Sequence, residues 1–415
     1  MGTVAARWRL RALMVVACWI GCGEAPPETA FEGRATIRDS AGITVIENHE
    51  PVCSGNEWRI EPEPAIQIGA VEGDTPYIFS NVARALHLPD GRTVLVESST
   101  REIRVFDAAG RHLTSFGGEG SGPAEFQAMP LIAFDPPSSI LAFDVRARRI
   151  TRFDLNGSLR NERSLVAAMA GLPATNIAGA STLLGDGTLV LAARRVLDGR
   201  PTEPGATVKQ WKQVLVLRAG RDPVEIAFFP DPVIVFYGDA MVDDDPFGVA
   251  SVLAASDEPR AVLVASLSQW QVDVHDEDGR VARIIRAPIP RQPTDAALDA
   301  YRARLREMAV RRGRAPETYV SVFDAREVAD SLQAIESLHW DRSGYLWVGR
   351  LTEWDQESPT VYDVFDQQGQ WLSTVRFPDG IASVFDISDG RVATRWRDEF
   401  DVQYVRVYRI ISGCG

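Results

Sequence analysis

The chain has 415 residues, 45% of them apolar, and a formal net charge of −13. That composition is ample for a large buried core. It excludes a general nucleic-acid binder, which needs Lys and Arg in excess to displace phosphate counterions.

The first eleven residues carry Arg7, Arg9 and Arg11 and no acid, and Ala12–Gly21 is an unbroken apolar run. A basic start followed by a short apolar core is the pattern of a secretory signal. The run is about half the length needed to cross a bilayer. Trp19-Ile20-Gly21-Cys22 follows, then Gly23-Glu24-Ala25-Pro26-Pro27-Glu28. This resembles a bacterial lipoprotein signal, in which a small residue precedes the acylated cysteine. Gly21 fits and Trp19 departs from the usual residue. Val15-Val16-Ala17-Cys18 matches the local pattern better but leaves too short an apolar core. Cys22 is therefore the expected lipid-attachment residue, with residues 1–21 as signal and 22–33 as tether.

Two β-rich stretches come next, Ile43-Thr44-Val45-Ile46 and Ala65–Gly69. Then a pattern repeats: apolar strand, tight turn, apolar strand. Its copies are 81–97, 128–144, 177–193, 248–265, 334–350 and 380–396. Alternation at period two is the strand signal, and Asp-Gly supplies the positive φ of a hairpin turn. The second and fourth copies lack that dipeptide. A further motif, a β-rich run ending Asp-x-x-Gly, follows at 103–110, 150–157, 272–279 and 362–369, and is degraded at 214–222. Four antiparallel strands per copy make a propeller blade, and radial packing buries the faces that one sheet leaves open. The fold expected is all-β: a six-bladed β-propeller over residues 34–415, closed by an N-terminal strand. The last copy runs out at 405–412, so an N-terminal strand completes it and removes the open edge. Either 43–47 or 65–69 can play that part. The likeness of Ile68–Phe79 to Phe116–Phe126 favours the latter.

The start DSAGITVIEN (39–48), the repeat at 90–110 and the turn GGEGSGPAEF (117–126) resemble the NHL-repeat-like six-bladed propeller lipoproteins of bacteria. The resemblance covers about residues 35–412 and implies a binding platform. It leaves the ligand open.

Insertions carry the individuality of the chain. Residues 292–316 read as a short helix with Thr294 at its N-cap and an apolar face of Leu298, Tyr301, Leu305 and Met308. It is expected to sit on a rim and add nothing to the blades. Arg306, Arg311, Arg312 and Arg314, at or beyond its end, are candidates for a partner surface. Asp239, Asp243, Asp244 and Asp245 could offer oxygens to Ca²⁺, although a solvated acidic loop is the preferred reading. No other cofactor is expected. Gly117–Pro123 reads as a turn between blades, with Phe126 packing between them. The five histidines fall in different repeats and read as structural.

Cys18 and Cys22 belong to the signal or anchor, which leaves Cys53 and Cys414. An even pair in an oxidising compartment is usually bridged, and the closing blade brings these two together. The function expected is an exported, lipid-anchored binding module. It would sit on the periplasmic or surface side of a membrane, as a monomer, and take a protein or small-molecule ligand at a propeller rim. The alternative is a calcium-dependent, lactonase-like hydrolase with its metal in the central channel. The inner-strand copies hold few acids for that: Glu336, with Asp135 and Asp386 near strand ends, where Ca²⁺ takes about 6–8 oxygens.

Overall fold

The computed structural model describes residues 29–414 apart from 32, 171, 173–180, 197–202, 239–240, 249–250, 258–259, 267–269, 293, 329, 331 and 352–359. The signal, Cys22 and Asp239 lie outside the described residues.

Six sheets are arranged as blades. Blade one runs Val82–His87, Thr93–Glu97, Glu102–Phe106 and His112–Gly117. Blade two runs Leu131–Asp135, Ser139–Asp144, Arg149–Asp154 and Leu159–Ser164. Blades four and five begin at Val252–Asp257 and Ile335–Trp340, and all neighbouring strands within these four repeats are antiparallel. Blade three departs from the regular size. Its third and fourth strands, Thr207–Leu217 and Val224–Gly238, are 11 and 15 residues long, and a fifth strand, Met241–Asp244, follows.

The Asp-x-x-Gly motif is a turn with its own hydrogen-bond logic. The Asp107 carboxylate accepts the N–H groups of Ala109 and Arg111 at 2.9 and 2.8 Å, and Gly110 takes φ 75°. Asp154, Asp276 and Asp366 repeat the arrangement. Asp398 does the same in blade six, where Asp401 instead of glycine takes the left-handed conformation at φ 61°. Aspartate supplies the acceptor and glycine the positive φ.

Apolar side chains fill every gap between blades. Val94, Ile103, Ile140 and Phe153 lie between blades one and two, with Phe126 of the glycine-rich turn fully buried among them. A Cβ on Gly117 would stand 2.7 Å from the Phe126 ring, so this turn needs glycine on steric as well as conformational grounds.

The two N-terminal stretches take different jobs. Ile66–Ile68 pairs with Val405–Val407 and completes blade six, which closes the ring. Ile43–Asn48 instead pairs in parallel with Val281–Arg286, and with Ala35–Ser40 and Thr29–Phe31 it widens blade four to a seven-stranded sheet. Between them the chain crosses the outside of blade five. Val52 and Cys53 donate N–H bonds to Trp371 and Leu372 carbonyls at 2.9 Å, and the Trp58 N–H reaches Ser373 Oγ at 2.9 Å. Trp58 packs edge-on to Tyr345 and Trp347. Cys53 and Cys414 are joined as a disulfide, with Cα atoms 5.4 Å apart across 361 residues of chain.

The helical insertion is larger and better anchored than its sequence suggests. Helix α1 (Asp295–Arg311) has Thr294 at its N-cap position, without a side-chain cap bond. A second helix, α2 (Glu317–Asp324), follows. Tyr301, Leu305 and Ala309 of α1 and Tyr319, Val320 and Phe323 of α2 are buried against Val235 and Tyr237 of blade three. The insertion therefore shares a core with the extended strands, which corrects the reading of an appendage that adds nothing to the blades.

Candidate functional site

Each inner strand starts on one face of the ring and ends on the other. The connections between blades share the first face, and the inner hairpins and Asp-x-x-Gly turns share the second. The strands surround a central cavity of about 830 Å³ lined by residues from all six blades. That size lies within the range of small-molecule sites.

Its wall combines leucines (Leu86, Leu131, Leu253, Leu338), three aromatics (Phe134, Trp340, Phe385) and a few polar groups. Most of the polar groups are committed to the fold. Arg342 reaches from blade five to the His87 carbonyl of blade one and to Ser388 Oγ and Asp389 of blade six, the last two at 2.6 and 3.2 Å. Its guanidinium also lies 5.8 Å from the centre of the Phe134 ring in blade two. It is a clasp across four blades. Asp386 accepts the His87 N–H at 2.9 Å and the Ser388 hydroxyl at 3.0 Å. Asp135 pairs with Arg152 at 2.8 Å. Asp341 accepts the N–H groups of Ser343 and Tyr345 and the Trp347 indole N–H at 2.8–3.0 Å.

Burial shapes the titration of these groups. It pushes the carboxyls of Asp135 and Asp386 upward, and that of Asp341 up to about 6 in spite of the three donors. Burial, with help from Arg391 and Arg342, depresses His87 to about 4. His339 also falls to about 4, through burial and then the charge of Arg84. Its ring is accessible from the channel yet enclosed by the blades, so it is neutral at neutral pH.

Arg84 is the exception to this pattern of commitment. Its one hydrogen bond goes to the Ala83 carbonyl at 3.3 Å, and it has no ion pair among the described residues. Burial alone shifts it, downward.

The sequence-predicted site residues do not meet in the channel. Asp243, Asp244 and Asp245 lie on the first face and line a smaller cavity of about 250 Å³ with Tyr301 and Arg304. Each faces an arginine: Asp243 lies 3.7 Å from Arg304, Asp244 lies 3.9 Å from Arg194, and Asp245 pairs with Arg326. Among the described residues no three His, Cys, Asp or Glu side chains are grouped to hold a metal ion. Arg306 pairs with Glu317 at 2.7 Å, which ties α1 to α2, and Arg311 lies 3.9 Å from Glu307. Arg312 caps α1 through its backbone N–H, and Arg314 returns an N–H bond to the Ala309 carbonyl at 2.9 Å. Cys53 and Cys414 meet as read from the sequence.

Sequence reasoning missed Arg84, and a signal for it was present. Counted back from the turn glycines Gly91, Gly344 and Gly390, Arg84 stands where the fifth and sixth copies have Ser337 and Ser383. A long cation in a slot that these two copies give to a small hydroxyl, and the third copy to Ala180, marks a departure from the repeat.

Ring, seam and channel define a six-bladed β-propeller. A family model described as a 6-bladed beta-propeller matches residues 79–173. Several solved structures are similar to the chain. One is a Bacteroides fragilis protein described as exported, 13% identical, covering 89% of this chain and 100% of that one with a TM-score of 0.47. Another is virginiamycin B lyase from Staphylococcus aureus, at 11% identity, 86% and 100% coverage and a TM-score of 0.41. A third is a gluconolactonase from Xanthomonas campestris, at 13% identity, 94% and 96% coverage and a TM-score of 0.41. Likenesses this distant carry nothing about activity. No curated protein matches the sequence.

Proposed function

We propose that this chain is an exported, lipid-anchored β-propeller of the NHL-like kind that holds a small ligand in its central channel. The observation that carries this reading is the cavity of about 830 Å³ to which every blade contributes. The rim is the less favoured place, because Arg306 and Arg311 of the insertion face acids of the insertion itself. Export is supported by the basic and apolar start, by Cys22 after Gly21, and by a bridged cysteine pair, which persists in oxidising compartments.

Two experiments test the two halves. Replacing Cys22 with Ser should move the exported protein from the membrane to the soluble fraction, and undiminished membrane association would refute the anchor. Native mass spectrometry of protein purified from its own host should find a bound small molecule that is lost on Thr182→Trp, which fills the channel from the partly exposed wall of blade three. A bound mass unchanged by that substitution, in a variant that melts like the parent, would place the ligand elsewhere.

A further inference from the structure

We propose that the channel recognises a small organic anion, with its charged group on the Arg84 guanidinium and its apolar body against the leucines and Phe385. The inference rests on the channel being the ligand site and adds the chemical class of what it takes.

The first observation is the contrast between Arg84 and the arginines of blades five and six, of which Arg342 also lines the channel. Arg342 has three partners, Arg350 holds Asp363 at 2.6 Å through two nitrogens, and Arg395 reaches Ser383 Oγ and the Val82 carbonyl at 2.8 and 3.2 Å. Arg84 has only the carbonyl of the residue before it. A half-buried guanidinium on the channel wall without a counterion leaves an unanswered positive potential at that point. A planar fork of N–H donors suits a carboxylate or phosphate oxygen pair.

The second observation is the company Arg84 keeps. Its charge is felt by His339, which burial and that same charge hold neutral and able to donate one N–H. The channel carboxylates belong to the inner-hairpin end and are engaged there: Asp135 by Arg152, Asp386 by His87 and Ser388. An anion at Arg84 therefore has the neutral His339 ring beside it. The apolar wall supplies the rest of the selection, since an inorganic ion would leave Leu86, Leu131, Leu253 and Phe385 uncovered in a space several times its size.

The test uses the mature chain carrying Cys22→Ser, with octanoate, octan-1-ol and inorganic phosphate as probes, followed by calorimetry and tryptophan fluorescence. Octanoate should bind at least tenfold more tightly than octan-1-ol or phosphate. Arg84→Met should weaken octanoate at least tenfold, leave octan-1-ol unchanged and raise the melting temperature, because the unpaired charge is gone. Arg84→Lys should recover part of the affinity. Equal binding of octanoate and octan-1-ol, or octanoate binding indifferent to Arg84→Met, would overturn the anion assignment while leaving the channel as the site. Phosphate binding as tightly as octanoate would overturn the organic part of it. Octanoate binding that survives Thr182→Trp, or no binding of any probe at millimolar concentration, would overturn the channel reading itself.

Discussion

The seam of the ring and the elaborated side around blade three solve opposite problems. At the seam, blade six is completed by Ile66–Ile68, and the preceding arm crosses blades four and five before the Cys53–Cys414 bond fastens it. Everything there draws distant parts of the chain together. Around blade three, strands of 11 and 15 residues grow away from the ring and share a core with α1 and α2. The seam is therefore global, and breaking it loosens every blade. The elaboration is local, and breaking it should leave the ring standing.

The largest effect should come from the seam. Cys53→Ser with Cys414→Ser frees a loop of 361 residues, for which the chain-entropy model gives on the order of 5 kcal/mol, less whatever the non-covalent arm already restrains. Denaturant unfolding should show one cooperative transition shifted down in both the reduced parent and the double variant. A shift confined to exchange of the last strand would mean that the bond only pins a tail.

Next is Phe323→Ala in α2. Phe323 is 1% exposed, with the rings of Tyr301 and Phe247 centred 5.1 and 5.8 Å away. The cavity should cost about 3 kcal/mol. Hydrogen exchange should locate the loss in 224–247 and 295–324 and spare blades one and two. Loss spread evenly over all blades would erase the distinction between seam and elaboration.

Asn48→Ala probes the arm alone. The Asn48 side chain donates to the Arg286 and Gly369 carbonyls at 3.0 and 3.1 Å and accepts the Trp371 N–H at 2.8 Å, joining blade four to blade five. It is 4% exposed, so orphaning these groups should cost about 2 kcal/mol in equilibrium unfolding. An unchanged midpoint would mean that the arm is decoration.

The smallest effect is with pH. His87 and His339 titrate near 6.5 when unfolded and near 4 when folded. The unfolded chain binds those protons first, so stability is complete above about 6.5 and declines as pH falls toward 4. Asp341 acts in the opposite sense: its carboxyl, near 3.8 unfolded and about 6 folded, removes stability as pH rises from 3.8 through 6. Burial raises Asp135 and Asp386 in the same sense as Asp341, and it is these carboxyls together that oppose the two histidines in mildly acidic solution and keep the net slope shallow. His87→Asn should flatten the decline between pH 7 and 5 in urea titrations, and an identical slope would remove His87 from the account.

Much of this comparison was legible in the sequence. Period-two alternation and the Asp-x-x-Gly turns mark strands because both are local in origin, and the cysteine pair follows from compartment and topology. The arm was harder: Ile43–Asn48 and Ile66–Ile68 are equally strand-like, and only their partners, more than 200 residues away, distinguish them. Helix α2 was hidden because Tyr319, Val320, Val322 and Phe323 are residues that favour strands, and burial against Tyr237 overrides that preference. The candidate acids at 243–245 attracted notice by type, whereas Arg84, whose significance is the absence of a partner, cannot be weighed until the wall around it is known.

The most direct test of the channel as a binding site is a crystal structure of the protein purified from its own host. It should show density for a bound anion with an oxygen about 3 Å from the Arg84 guanidinium. A channel holding only water, with ligand density against the rim helices instead, would contradict it.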